Sequence, residues 1–143
     1  MNPSEIDPAG VLNRMVEVLL YSFPVYLETT RPWSIRDPKN VCSRVGIVAA
    51  DQHAMAERLI EKIHRLGAQV DPGGFPREFT AFNDLEISTV LDIAIEWQKQ
   101  MIVDLQQGAQ ALADYSGLVP LVEEAVGNAR GHLAALEELR TEV

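Results

Sequence analysis

The sequence predicts an all-α protein forming one domain over residues 1–143. The fold expected is a four-helix bundle in up-down-down-up order, with one long crossover between helices two and three. Three observations carry this. Apolar residues recur at steps of three and four along four separate stretches, and no stretch alternates as a strand would. The connections between these stretches are short except for one. Nearly half of the 143 residues are apolar (47%), enough to bury a substantial core.

The first helix is expected over 8–30. Asp7-Pro8 opens it, with Asp as N-cap and Pro at a first helical position whose N–H would have no partner anyway. Leu12, Met15, Leu19, Phe23 and Tyr26 line its inward face. Pro24 lies inside this pattern and should kink the helix, and Arg31-Pro32 should end it. The second helix, over 38–66, opens on Asp37-Pro38 and closes on Gly67 as C-cap. Its seam is Val45, Ala49, Ala56, Leu59, Ile63 and Leu66, with Gln52 filling the vacant slot. His53 stands beside this seam and is expected to point inward.

The third helix is expected over 84–113. Asn83 with Glu86 makes a capping-box start, and Phe82 can pack on Ile87 as a hydrophobic staple. Ile87, Leu91, Ala94, Met101, Leu105 and Leu112 form its apolar face. Ser116-Gly117 breaks the chain, and Pro120 falls in the first turn of the fourth helix, over 118–141. That helix has the seam Leu118, Val122, Ala125, Ala129, His132, Leu136, Leu139 and Val143.

Loop length chooses the topology. The second helix, roughly 29 residues at ~1.5 Å each, is about 43 Å long. The connection from Gly67 to about Phe82, roughly 16 residues at up to ~3.3 Å each, spans about 50 Å. It can return along the whole bundle and set helices two and three parallel, and its prolines and phenylalanines suit a segment packed on the bundle.

A net charge of -9 with no basic cluster argues against nucleic acid as a partner. No apolar run reaches the length of a membrane span, and the polar, acidic start is unlike a signal peptide. Cys42 is the single cysteine, so no intramolecular disulfide can form and a cytoplasmic location is expected. Cys42 suits a small buried hydrophobe, and His64 a surface position near a helix C-terminus. Trp33 and Trp97 suit a contact in a homo-oligomer, a dimer in the simplest case, as well as core or loop packing.

Three segments carry a family resemblance. DQHAMAERLIEKIHRLG, followed by the Pro/Gly-rich crossover, resembles the second helix of bacterioferritins and related ferritin-like proteins. AIEWQ resembles their third-helix segment, and ARGHLAALEEL their fourth. The resemblance implies a ferritin-like fold. It also implies a di-iron site built from one Glu on each of helices one and three, plus a Glu-x-x-His pair on helices two and four. Matched onto this chain, His53 and His132 take the histidine places and Glu96 that of the third-helix glutamate. Leu19, Ala50 and Ala129 stand where the other three carboxylates would be.

The consequence is electrostatic. Two divalent ions bring four positive charges, which one carboxylate and two neutral imidazoles do not compensate in a dry core. Ferroxidase chemistry is therefore not expected. One ion is different. At ~1.5 Å per residue, His53, Glu96 and His132 lie about 22, 18 and 21 Å along their helices, and such a set suits a single Zn²⁺ or Fe²⁺ with open positions. Two other readings stand beside this one. In the first, the histidines are core polar residues of a metal-free structural or interaction bundle. In the second, the ion serves a mononuclear-metal enzyme as a Lewis acid. No Ser/His/Asp set, phosphate-binding loop or cysteine cluster is present.

Overall fold

The computed structural model describes residues 6–30, 40–71, 73–82 and 86–143. Five α-helices follow in order: α1 (Pro8–Leu20), α2 (Phe23–Thr30), α3 (Val41–Arg65), α4 (Ile87–Ala111) and α5 (Val119–Thr141). A 3₁₀ helix, Arg77–Phe82, precedes α4. The expected first helix is thus two helices, and Pro24 is the reason. A proline has no N–H for the carbonyl four residues back and crowds it, so α1 stops at Leu20. Ser22 restarts the helix. Its Oγ accepts the Val25 N–H at 3.4 Å and its carbonyl accepts the Tyr26 N–H at 3.0 Å.

The helix ends depart from expectation in places. Asp7 sits at the N-cap of α1 without a side-chain capping bond, and only its carbonyl is used, by the Val11 N–H at 3.0 Å. Helix α4 starts at Ile87, and Glu86 makes no capping bond either. The expected stops and starts at Arg31-Pro32, Asp37-Pro38 and Asn83, the Phe82 side chain, and the dimer contact at Trp33 lie outside the described residues. Gly67 does end α3, at φ 80°, where an L side chain is strained. The Ala68 N–H reaches the Ile63 carbonyl at 3.2 Å and the Gly67 N–H that of His64 at 3.0 Å, a Schellman closure. No atom lies within 4 Å of a Cβ added at Gly67. Gly67→Ala is therefore expected to cost only the backbone term, about 1 kcal/mol in a urea titration.

Two apolar clusters fill the bundle. In one, Leu12, Met15 and Leu19 of α1 meet Leu59 and Ile63 late in α3, Leu105 late in α4, and Val122 early in α5. In the other, Phe23 and Tyr26 of α2 meet Val41 and Val45 early in α3, Leu91 early in α4, and Leu136 and Leu139 late in α5. Helices α3 and α4 thus begin at one end and finish at the other. They run parallel, with α1/α2 and α5 running against them, so the up-down-down-up order holds. At Gly108, α1 comes so near α4 that an added Cβ would meet Met15 Sδ at 2.8 Å.

The crossover lies against the bundle. The Asp71 N–H donates to Asn13 Oδ1 at 2.8 Å beside α1. Further along, Phe75 packs edge-on against Tyr21, with ring centroids 5.3 Å apart. Phe79 then sits between Phe23 at 4.8 Å and Trp97 at 5.0 Å. These aromatic contacts hold the connection down and place Trp97 against it.

Ion pairs tie the helices outside. Arg58 meets Glu124 at 2.8 Å and Arg44 meets Glu142, both joining α3 to α5, while Arg140 reaches Asp92 of α4 at 2.7 Å. The hydrogen bond from Arg58 holds the Glu124 carboxyl below its usual range. Its stabilisation is present at neutral pH and fades as pH falls through that lowered pKa. Being exposed, the pair contributes little. Among the described residues no helix is long and apolar enough to cross a membrane.

Candidate functional site: a buried amide relay

Among the described residues three polar side chains are buried in the bundle: Ser22 between α1 and α2, Gln52 on α3 and Gln98 on α4, at 5%, 1% and 0% exposure. They form one hydrogen-bonded line. The Ser22 hydroxyl donates to Gln52 Oε1 at 2.6 Å, and Gln52 Nε2 donates to Gln98 Oε1 at 3.1 Å. Gln98 Nε2 donates to the backbone carbonyl of Ala129 on α5 at 3.0 Å. Met101 Sδ, 3.6 Å from Gln52 Nε2, is a further weak acceptor.

The line has one direction. A backbone carbonyl only accepts, so the Gln98 amide must turn its nitrogen to Ala129 and its oxygen to Gln52. Gln52 must then turn its own oxygen to Ser22, whose Oγ is free to donate because its lone pair takes the Val25 N–H. Both amide orientations follow from the end points. The relay joins all four arms of the bundle with neutral groups.

The sequence-predicted residues fall elsewhere. His53 is exposed on α3, its Nδ1 3.4 Å from Glu57, so the inward placement expected for it is corrected. Glu96 is exposed on α4 and pairs with Lys99 at 3.3 Å. Ala50, matched to the second-helix carboxylate, also faces solvent. Ala50 and Glu96 share a geometric reason. At about 100° per residue, Gln52 lies about 200° around α3 from Ala50, and Gln98 the same from Glu96.

His132 is the exception. Its side chain is 12% exposed, its Nε2 lies 3.2 Å from Asp51 Oδ2, and its Nδ1 is buried without a hydrogen-bond partner among the described residues. Neither His53 nor Glu96 is among its partners. Among the described residues no group of three or more His, Cys, Asp or Glu is placed to hold a metal ion.

The donors that do face inward can be set against a di-iron centre. Apart from the buried Nδ1 of His132 they include a hydroxyl, two amides already engaged with one another, and the thioethers of Met55 and Met101, with no carboxylate among them in the described residues. Gln52-x-x-Met55 has the spacing of a Glu-x-x-His pair with both ligands replaced, and Ala129-x-x-His132 keeps only its histidine. Divalent iron in this fold takes carboxylates and imidazoles, so the inward set does not fit two irons.

A four-helix bundle with this order, this crossover and a polar layer in its core has the ferritin-like fold. The chain is similar to the bacterioferritin of Desulfovibrio desulfuricans, whose X-ray structure describes a diiron site in different catalytic states. The TM-score is 0.77 over 94% of this chain and 78% of that one, at 16% identity. At that identity the likeness establishes the fold and nothing finer. By sequence the chain matches no protein-family model and no curated protein.

Proposed function

We propose that this chain is a ferritin-like bundle working without a di-metal centre, as a structural or interaction protein with no ferroxidase activity. The supporting observation is the relay. The Ala129 carbonyl accepts from Gln98 Nε2, and a carboxylate in that place would set an anion against a carbonyl. Homodimeric assembly in the cytoplasm belongs to the same reading, with Ile47, 64% exposed on the outer side of α3, suited to a contact.

A second reading keeps one Zn²⁺ or Fe²⁺ on His53, Glu96 and His132. The unpartnered Nδ1 of His132 favours it. Against it, His53 and Glu96 would have to leave Glu57 and Lys99 and turn from solvent.

Elemental analysis of untagged protein, with an Fe²⁺ oxidation assay, separates the two. The first reading expects less than a tenth of an ion per chain and no oxidation above the buffer rate. A stoichiometric ion lost in His132→Ala would establish the second, and two irons per chain would overturn both.

A further inference from the structure

Beside the relay the bundle wall opens into a cavity of about 260 Å³, between the α1/α2 break, the crossover and α4. We propose that this cavity is a binding site for a small aromatic amine, a single ring carrying a cationic ammonium group. The assignment goes beyond the reading above and does not depend on whether an ion binds elsewhere.

The size comes first. Sites for drug-sized ligands run to ~300–1,000 Å³, so this one suits a single ring or a fused pair. Its walls are aromatic and preformed. Phe79 and Trp97 both line it and are locked edge to face at 5.0 Å by the crossover. Tyr21, held by Phe75 at 5.3 Å, lines it as well. Phe79 is itself buried, while Tyr21 and Trp97 keep part of their rings exposed, and such aromatic faces attract cations.

The rim supplies direction. Gln98 closes the floor, fully buried and engaged with Gln52 and Ala129. At the rim stand Glu17 and Asp104 with one cation, Arg14. Each carboxylate is held by a neutral amide, Glu17 by Asn13 at 3.3 Å and Asp104 by Gln100 at 3.2 Å. Neither is neutralised by an ion pair among the described residues. Two carboxylates against one guanidinium, on a chain of net charge -9, favour a cationic ligand over an anionic one.

Four probes that share one ring resolve these terms, titrated calorimetrically at low salt in EDTA-containing buffer so that metal plays no part. Tyramine carries both the ammonium and the hydroxyl, phenethylamine lacks the hydroxyl, 4-ethylphenol lacks the charge, and 3-(4-hydroxyphenyl)propionate reverses it. Saturable 1:1 binding is expected, tighter for the two amines than for 4-ethylphenol and at least fivefold weaker than tyramine for the propionate. Asp104→Asn with Glu17→Gln, both at the rim, should erase the preference of tyramine over 4-ethylphenol and leave the melting temperature unchanged. Trp97→Leu should weaken all four probes at least fivefold. The proposal is overturned if no probe saturates at millimolar concentration. It is equally overturned if the propionate matches tyramine, or if the rim variant binds tyramine as the wild type does.

Discussion

Gln98→Glu is expected to make the core of this bundle pH-sensitive, with a stability that falls as pH rises. Position 98 is fully buried, and burial raises a carboxyl's pKa above the ~4.3 of an unfolded chain. The Ala129 carbonyl pushes the same way, since it faces the group as an acceptor, while the Gln52 N–H opposes with a hydrogen bond to the anion.

Protonated, the glutamic acid donates to Ala129 as the amide does, so below about pH 4.3 the variant should approach the wild type. Above that pH the unfolded chain releases a proton that the folded chain retains. The loss then grows by ~1.4 kcal/mol per pH unit until the raised folded pKa is passed. Gln98→Leu is the control, expected to lose about 1–3 kcal/mol for the partner it strips from Gln52, at every pH alike. Urea titrations of both variants and the wild type from pH 4.5 to 8 measure this. A Gln98→Glu profile parallel to that of Gln98→Leu would show that the relay does not constrain the site as described.

Much of this arrangement was legible in the residues. Gln52 visibly fills a slot of the α3 seam, and its inward place needs only the 3.6-residue repeat. Gln98 carries the same signal, four residues after Ala94, three before Met101 and seven before Leu105, all buried. Glu96, the carboxylate of the family match, stands two residues away and on the opposite side of the helix. Ala50 and His53, matched to a Glu-x-x-His pair, are likewise exposed, since a short motif match is indifferent to rotation and a helix is not. The break at Ser22 followed from Pro24. What no pattern displayed was that Ser22, Gln52, Gln98 and the Ala129 carbonyl would share one layer, since that depends on how four helices align along the bundle. The crossover's length indicated its direction, while its aromatic grip on Tyr21, Phe23 and Trp97 is a property of packing alone.

A gain of metal binding should follow from restoring ligands on the inward face and not on the outer one. Gln52 and Gln98 touch at 3.1 Å, so Gln52→Glu with Gln98→Glu sets two carboxylates at a separation where both cannot stay ionised alone. They must share a proton or take up a cation. Met55→His completes a Glu-x-x-His spacing three residues on, at a position already buried. Without metal the triple variant should be less stable than the wild type. With Zn²⁺ or Co²⁺ at a hundredfold excess over its dissociation constant it should regain about 2.7 kcal/mol, a rise of about 10 °C in Tm. Ala50→Glu is the matched control. It makes a Glu-x-x-His pair with His53 on residues that both face solvent, with Glu96 paired to Lys99 rather than converging on it. Its metal-dependent shift in a thermal melt should be under 2 °C. If the control gains as much as the inward triple variant, or the wild type already shifts, then the layer between the two core clusters is not where this bundle would hold an ion.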